Sequence, residues 1–196
     1  MTPLYIASQV LVFIGIAVDL VGRIMKNKKL VLIFTVVASA FYVSSYICLA
    51  APLPAIINGV NVVRNFVYVF LNEKDKPFKS YIIPMILAIL STVPFVAIFW
   101  TSPMDLFMIA SITVLTIGLA FKNMLSVRLS LILNSALWCV YNFSLKGYAN
   151  MTCDIINMSI SVVAIILYNV IPYIKQKKAA QNAPLAENIE PQGEQK

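Results

Sequence analysis

The sequence predicts an all-α integral membrane protein of seven transmembrane helices, arranged as two parallel three-helix bundles joined by the fourth span, a 3+1+3 plan. Three observations predict it: the composition, seven apolar windows, and basic residues that alternate from loop to loop. Of 196 residues, 60% are hydrophobic and 12% charged, and the mean hydropathy is +0.85. Soluble domains carry about 25% charged residues. A surface facing water cannot be covered with so few charges, so most of the chain must face lipid. A spanning helix needs about 20 mostly apolar residues, and windows near 4–25, 30–50, 55–71, 81–100, 105–121, 129–146 and 155–174 qualify. Their apolar runs are continuous and do not alternate. Open sheet edges in hydrocarbon would also leave backbone groups unpaired.

The first span follows an N-terminus without basic side chains and ends in Arg23, Lys26, Lys28 and Lys29. That order is the reverse of a secretory signal peptide, so the span is expected to stay in the mature protein. The turn after span 2, Ala51 to Pro54, carries no charge. The loop after span 3 carries Lys74, Lys76 and Lys79, and the loop after span 4 carries no basic residue. The fifth loop has Lys122 and Arg128, the sixth only Lys146, and the tail opens with Lys175, Lys177 and Lys178. The positive-inside rule then places the N-terminus outside and the C-terminus in the cytoplasm. Span 4 has Pro84 in its expected first turn and Pro94 near its middle, after Ser91 and Thr92, and reads as a bent linker. Residues 1–174 form one transmembrane domain: 1–75 the first three-helix repeat, 76–104 the linker, 105–174 the second repeat. Residues 175–196 are polar, contain prolines, and are expected to be disordered.

A weak internal repeat underlies that division. At an offset of 96, Gly22 meets Gly118 and Lys26-Asn27 meets Lys122-Asn123; at 99, Tyr42 meets Tyr141, Ile56 meets Ile155 and Asn58 meets Asn157. A three-helix unit ends on the face opposite its start. Repeating it in the same orientation requires an odd number of linking spans, which span 4 supplies.

The stretch Ile56-Ile-Asn-Gly-Val-Asn-Val-Val-Arg-Asn65 before a basic loop, and Trp138-Cys-Val-Tyr-Asn-Phe-Ser-Leu-Lys-Gly-Tyr148 leading to Asn157, resemble the bacterial inner-membrane YgjV-like (Imp-YgjV) family over about residues 4–174. That family is more distantly similar to SWEET, PQ-loop and PnuC-type transporters. The resemblance implies the 3+1+3 fold and a bacterial inner-membrane location, without fixing a substrate. SWEET and PQ-loop proteins place hinge prolines inside their bundle helices, often as Pro-Gln. This chain has none in the middle of spans 1, 2, 5 or 6, and its only Pro-Gln is Pro191-Gln192 in the tail.

Three sets of polar residues lie at helical spacing. Asn58, Asn61 and Asn65 fall on span 3. Asp154, Asn157 and Ser161 fall on span 7. Asn134, Trp138, Tyr141 and Asn142 fall on span 6. Such residues share a helix face and should look into the bundle, since an unpartnered amide in hydrocarbon is costly. One role is interhelical bonding, worth about 0.6–2 kcal/mol each. The other is a solute site of Asn58, Asn61, Asn157, Ser161, Tyr42, Trp138, Tyr141 and Asn142. SWEET-type transporters are similar in setting an asparagine from each half near aromatic residues. Amides bond without charge and aromatic rings offer flat apolar faces, which suits a small neutral solute of sugar or nucleoside type carried passively. A non-transporting membrane binding or interaction protein is the alternative. Asp19 and Arg64 stand at matching depths, roughly 10–12 Å from the inner boundary at 1.5 Å per residue. They are expected to pair across spans 1 and 3 as an inner staple or gate, against the rivals of an Asp19–Arg23 pair and an Arg64 that snorkels.

Other classes are disfavoured. The net charge of +7 lies in clusters beside apolar spans, the pattern of orientation signals and not of nucleic-acid binding. Cys48, Cys139 and Cys153 form no CxxC pair, and histidine is absent, so no metal is expected. Cys48 and Cys153 fall near the same end and are a candidate bridge, though free buried cysteine is commoner. No nucleophile elbow, phosphate loop or dinucleotide fingerprint appears, so neither enzymatic activity nor a cofactor is expected.

Overall fold

The computed structural model describes residues 3–100, 102–144 and 148–187. The helices are α1 (Pro3–Ile24), α2 (Lys28–Cys48), α3 (Pro52–Glu73), α4 (Lys79–Ile98), α5 (Leu106–Ala120), α6 (Met124–Ser144), α7 (Tyr148–Ile165) and α8 (Ile171–Glu187). Seven helical segments are long and apolar enough to cross a membrane; the last runs from Asn150 to Ala179.

Local chemistry sets the boundaries. Asn27 starts α2 by accepting the Lys29 amide at 2.8 Å, and Asn123 starts α6 by accepting that of Leu125 at 2.9 Å. Pro52 opens α3 where its missing N–H costs nothing. The helix ends at the Lys74 turn, where Asp75 takes a left-handed φ of 47°. The exposed Asp75 carboxylate bonds Lys122 at 2.6 Å, which holds its pKa below the usual carboxylate range. Before α5, Ser102 and Asp105 form a reciprocal cap around a single 3-10 turn. α4 starts at Lys79, so Pro84 stands in its second turn, and the helix continues through Pro94, with Ser91 and Thr92 bonding back to the Ala88 carbonyl.

The end of the chain departs from expectation. α7 passes through one π turn, Ile166–Val170, directly into α8, so the helix reaches Glu187 where disorder is expected from Lys175. Lysine, glutamine and alanine from Lys175 to Ala180 are good helix formers, and a helix already nucleated in the span propagates through them at little cost. The remainder of the tail, 188–196, and Lys146 lie outside the described residues.

Each short connection folds a helix back on its predecessor, so α1, α3, α5 and α7 run one way and α2, α4 and α6 the other. α2 packs between α1 and α3, and α6 between α5 and α7. The halves meet where α1 touches α7 and α3 touches α5, while α4 bridges α3 and α5 from outside. Six helices therefore close a ring, in the order α1, α2, α3, α5, α6, α7. Exchanging α1 with α5, α2 with α6 and α3 with α7 maps one seam onto the other. Finer contacts repeat as well. A Cβ on Gly22 would meet Phe34, and one on Gly118 would meet Ser130. Both members of that pair, like the two asparagine caps, are 96 residues apart.

The ring is apolar outside and polar within. Ile83, Leu87 and Leu90 of α4 and Phe13 of α1 are exposed, as lipid-facing side chains must be. Asn58, Asn61, Asn65, Asn142 and Asn157 are buried. An apolar cluster including Leu32, Tyr68, Tyr81, Leu119 and Val127 fills the end of the ring near the Lys26 and Lys122 turns, here termed the basic end. A second, around Leu53, Ile57, Val96, Met108 and Tyr141, fills the α3–α6 side of the other end.

Candidate functional site

A cavity lies at the centre of the ring. Every helix of the ring contributes a face to it: Ile16, Asp19 and Arg23 from α1; Thr35, Ser39, Tyr42 and Tyr46 from α2; Asn58 and Asn61 from α3; Leu115 from α5; Asn134, Ser135, Trp138 and Asn142 from α6; Asn150, Cys153, Asp154 and Asn157 from α7. On α1, α2, α3, α6 and α7 these residues recur mostly every three or four positions, the spacing of one helix face. Small side chains at Ala38, Ser39 and Ser135 leave the room. The space open to the centres of water molecules is about 100 Å³. One water needs roughly 10–15 Å³ on that measure, so the cavity holds several.

Its two ends differ. Leu115 and Leu131 belong to both the cavity lining and the apolar cluster of the basic end, and so form its floor. Asp19 and Arg23 beside that floor are buried, whereas Tyr46, Asn150, Cys153 and Asp154 toward the far end keep partial exposure.

The expected solute residues divide. Asn58, Asn61, Asn157, Tyr42, Trp138 and Asn142 reach the cavity. Ser161 sits behind it, donating to the Asn157 carbonyl at 2.9 Å and accepting from Arg23 at 3.1 Å. Tyr141 packs in the second apolar cluster, edge-on to Trp138 with centroids 5.7 Å apart. Asn58 donates to the Pro54 carbonyl at 2.9 Å, a local bond within α3. Three atoms in the lining are buried and unpartnered among the described residues: Asn61 Oδ1, Ser135 Oγ and Asn157 Oδ1. Buried polar atoms ordinarily find a partner. All three belong to side chains that line the cavity.

The cross-helix staple does not form. Asp19 accepts from Arg23 Nε at 2.9 Å, one turn away on α1. Arg64 bonds the Thr116 hydroxyl at 2.6 Å and the Asn65 amide oxygen at 2.8 and 3.0 Å. An i, i+4 pair on one helix is already in register, so Asp19 takes the nearer cation. Arg64 is 2% exposed and does not snorkel; it joins α3 to α5.

Arg23 is the residue that sequence reasoning misplaced. It looks like the first of a boundary cluster, yet it points inward. Besides Asp19, its guanidinium reaches Ser161 Oγ and the Leu131 and Asn157 carbonyls, both at 3.4 Å. One side chain thus ties α1 to α6 and α7 across the halves. The signal was present as Asp19 four residues earlier. Asp154, Asp19 and Arg23 also make the lining more charged than the amide stripes imply. Arg128 is likewise buried, bonding Asn169 within the π turn at 2.6 Å. The thiols of Cys48, Cys139 and Cys153 are all free, so the candidate bridge does not form. The described residues contain no group of three or more His, Cys, Asp or Glu placed to hold a metal.

No curated protein and no solved structure matches this chain. The family model Imp-YgjV, described as a bacterial inner membrane protein, matches residues 6–170. That match runs from within the first candidate membrane span to within the seventh, and the chain belongs to the Imp-YgjV family of bacterial inner membrane proteins.

Proposed function

We propose that the chain is a passive carrier of a small polar solute, bound at the centre of the ring between its two three-helix halves. The observation that carries this reading is one cavity lined from both halves by Asn61, Ser135 and Asn157, side chains whose buried oxygens have no partner among the described residues. A solute rich in hydrogen-bond donors, with flat apolar faces for Tyr42 and Trp138, suits the lining; a sugar- or nucleoside-like body has both. The expected kinship with SWEET-type transporters is supported by the ring itself, whose two seams interchange under a twofold operation. The basic clusters favour an orientation with the N-terminus outside and the basic end in the cytoplasm.

Flux into proteoliposomes tests this. Purified protein should move a member of a small polar solute panel down its gradient without added energy. Asn61→Ala and Asn157→Ala should each reduce that flux by about two- to twelvefold, the factor for one hydrogen bond of about 0.5–1.5 kcal/mol. Saturable binding without flux would turn the reading to a membrane binding protein. Unchanged flux in both variants would remove the site.

A further inference from the structure

The groups that the cavity leaves free are biased toward one kind of partner. Two are buried amide oxygens, on Asn61 and Asn157, and the third is the Ser135 hydroxyl. One turn before Asn157 on α7 stands Asp154, which lines the same cavity. Asp154 Oδ2 accepts from Asn142 Nδ2 at 2.8 Å. The described residues give this carboxylate no ion-pair partner. The other two charges in the lining cancel, since Asp19 is held by Arg23. When ionised, Asp154 places a negative charge without an ion-pair partner inside a low-dielectric ring, where a cation would be favoured beside it. Tyr46 from α2 and Trp138 from α6 line the same space and offer ring faces on which a cation can rest.

The chemistry separates the candidate cations. A metal ion would need several oxygen ligands. Asn142 instead turns an N–H toward Asp154, and no acidic cluster stands nearby among the described residues. An ammonium group brings three N–H donors and one positive charge. It can bond a carboxylate and amide oxygens together while its carbon skeleton lies against an aromatic ring. We propose that Asp154, with the Asn157 amide oxygen one turn away, seats the ammonium group of a small amine-bearing solute. This rests on the carrier reading and narrows its solute from polar to polar and cationic.

Matched pairs that differ only by the charged group test it: glucosamine against glucose, and ethanolamine against ethylene glycol. In proteoliposomes the amine of at least one pair should be taken up at least about tenfold faster than its neutral twin, the factor expected for a hydrogen bond to a charged group. Asp154→Asn should abolish that preference while still eluting as a single species in detergent, and Asp154→Glu should restore part of it. Equal uptake of amine and neutral twin, or a preference that survives Asp154→Asn, overturns the proposal. Uptake of a neutral solute that needs a proton or sodium gradient and is lost in Asp154→Asn would make the cation a co-ion and would also overturn it. The thermal stability of the protein in detergent, with and without the same amines, keeps the two readings apart. Stabilisation by an amine, lost in Asp154→Asn, with no flux of any solute, would retain the ammonium site and remove the carrier. Neither stabilisation nor flux would remove both.

Discussion

Arg23 ties the interior together from one side chain, because its guanidinium is shared among Asp19, Ser161 and two backbone carbonyls. Arginine suits this place: five donors in a planar fork can reach several acceptors at once, where a lysine would reach fewer. Arg23→Ala would leave the Asp19 carboxylate buried without its cation, at a cost of about 3–5 kcal/mol for breaking a buried pair from one side. Removing both charges, as Asp19→Asn with Arg23→Gln, removes that penalty and should cost less than Arg23→Ala alone. Thermal melting of the two variants beside wild type in the same detergent measures it. A double variant less stable than Arg23→Ala would mean that the carbonyl and Ser161 bonds, and not the charge pair, hold the ring here. At this scale the sequence was half legible. Polar residues at helical spacing on spans 3, 6 and 7 pointed to Asn58, Asn61, Asn157 and Asn142. The α2 face of Thr35, Ser39 and Tyr46 was passed over, because hydroxyls within an apolar run look like ordinary helix-bonding groups. Ser135 was missed for the same reason. Arg23 was misread because charge near a span end has two meanings, an orientation signal or a buried partner, and only the three-dimensional neighbourhood separates them.

Helices in lipid gain little by hiding apolar surface from one another, so close approach and shape decide which faces meet. Gly22 provides that approach between α1 and α2, and Gly118 between α5 and α6. At Gly22 an added Cβ would lie 2.6 Å from Phe34 Cβ, too near to be absorbed by a rotamer change. At Gly59 an added Cβ meets nothing within 4 Å. Gly22→Val and Gly118→Val should therefore each destabilise by about 1–3 kcal/mol through overpacking. Gly59→Ala should be neutral or stabilising, by up to about 1 kcal/mol, because alanine favours helix. Unfolding midpoints in mixed micelles compare them, and a Gly22→Val as stable as Gly59→Ala would mean the helices pass each other without need of the glycine. Element order and span positions were legible because hydrocarbon thickness and backbone bonding leave few choices. The π turn after α7 was not. Pro172, two residues past it, marks a break in regular helix bonding but not the kind of turn that answers it, and the turn itself holds Asn169, the partner of buried Arg128. Such turns commonly mark functional places in helices.

For the whole molecule, a carrier must expose one cavity to each side in turn, and the two ends of this ring are built unequally. The basic end is tied across the halves by Lys28 to the Phe121 carbonyl at 2.8 Å, Arg64 to Thr116 at 2.6 Å, and Arg128 to the Met25 carbonyl at 3.4 Å. The far end offers partly exposed Tyr46, Asn150 and Cys153 instead. On the carrier reading and with the orientation proposed above, this would be the outward-accessible state, favoured by the cross-half bonds of the basic end. Cys153 reports on that state because it lines the cavity and its thiol is free. In a Cys48→Ala, Cys139→Ala background, a membrane-impermeant maleimide should modify Cys153 from the periplasmic side of spheroplasts and slowly from inside-out vesicles. Adding Thr116→Val removes the hydroxyl that Arg64 uses. A hydrogen bond to a charged group is worth about 1.5–3 kcal/mol, and each 1.4 kcal/mol shifts an equilibrium about tenfold. Where the two states lie close in energy, periplasmic labelling of Cys153 should fall by about tenfold or more as the population moves to the state open at the basic end. Faster labelling from inside-out vesicles in the starting background would reverse the orientation. Labelling indifferent to Thr116→Val would mean that the Arg64 bond forms equally in both states and that another contact holds the basic end shut.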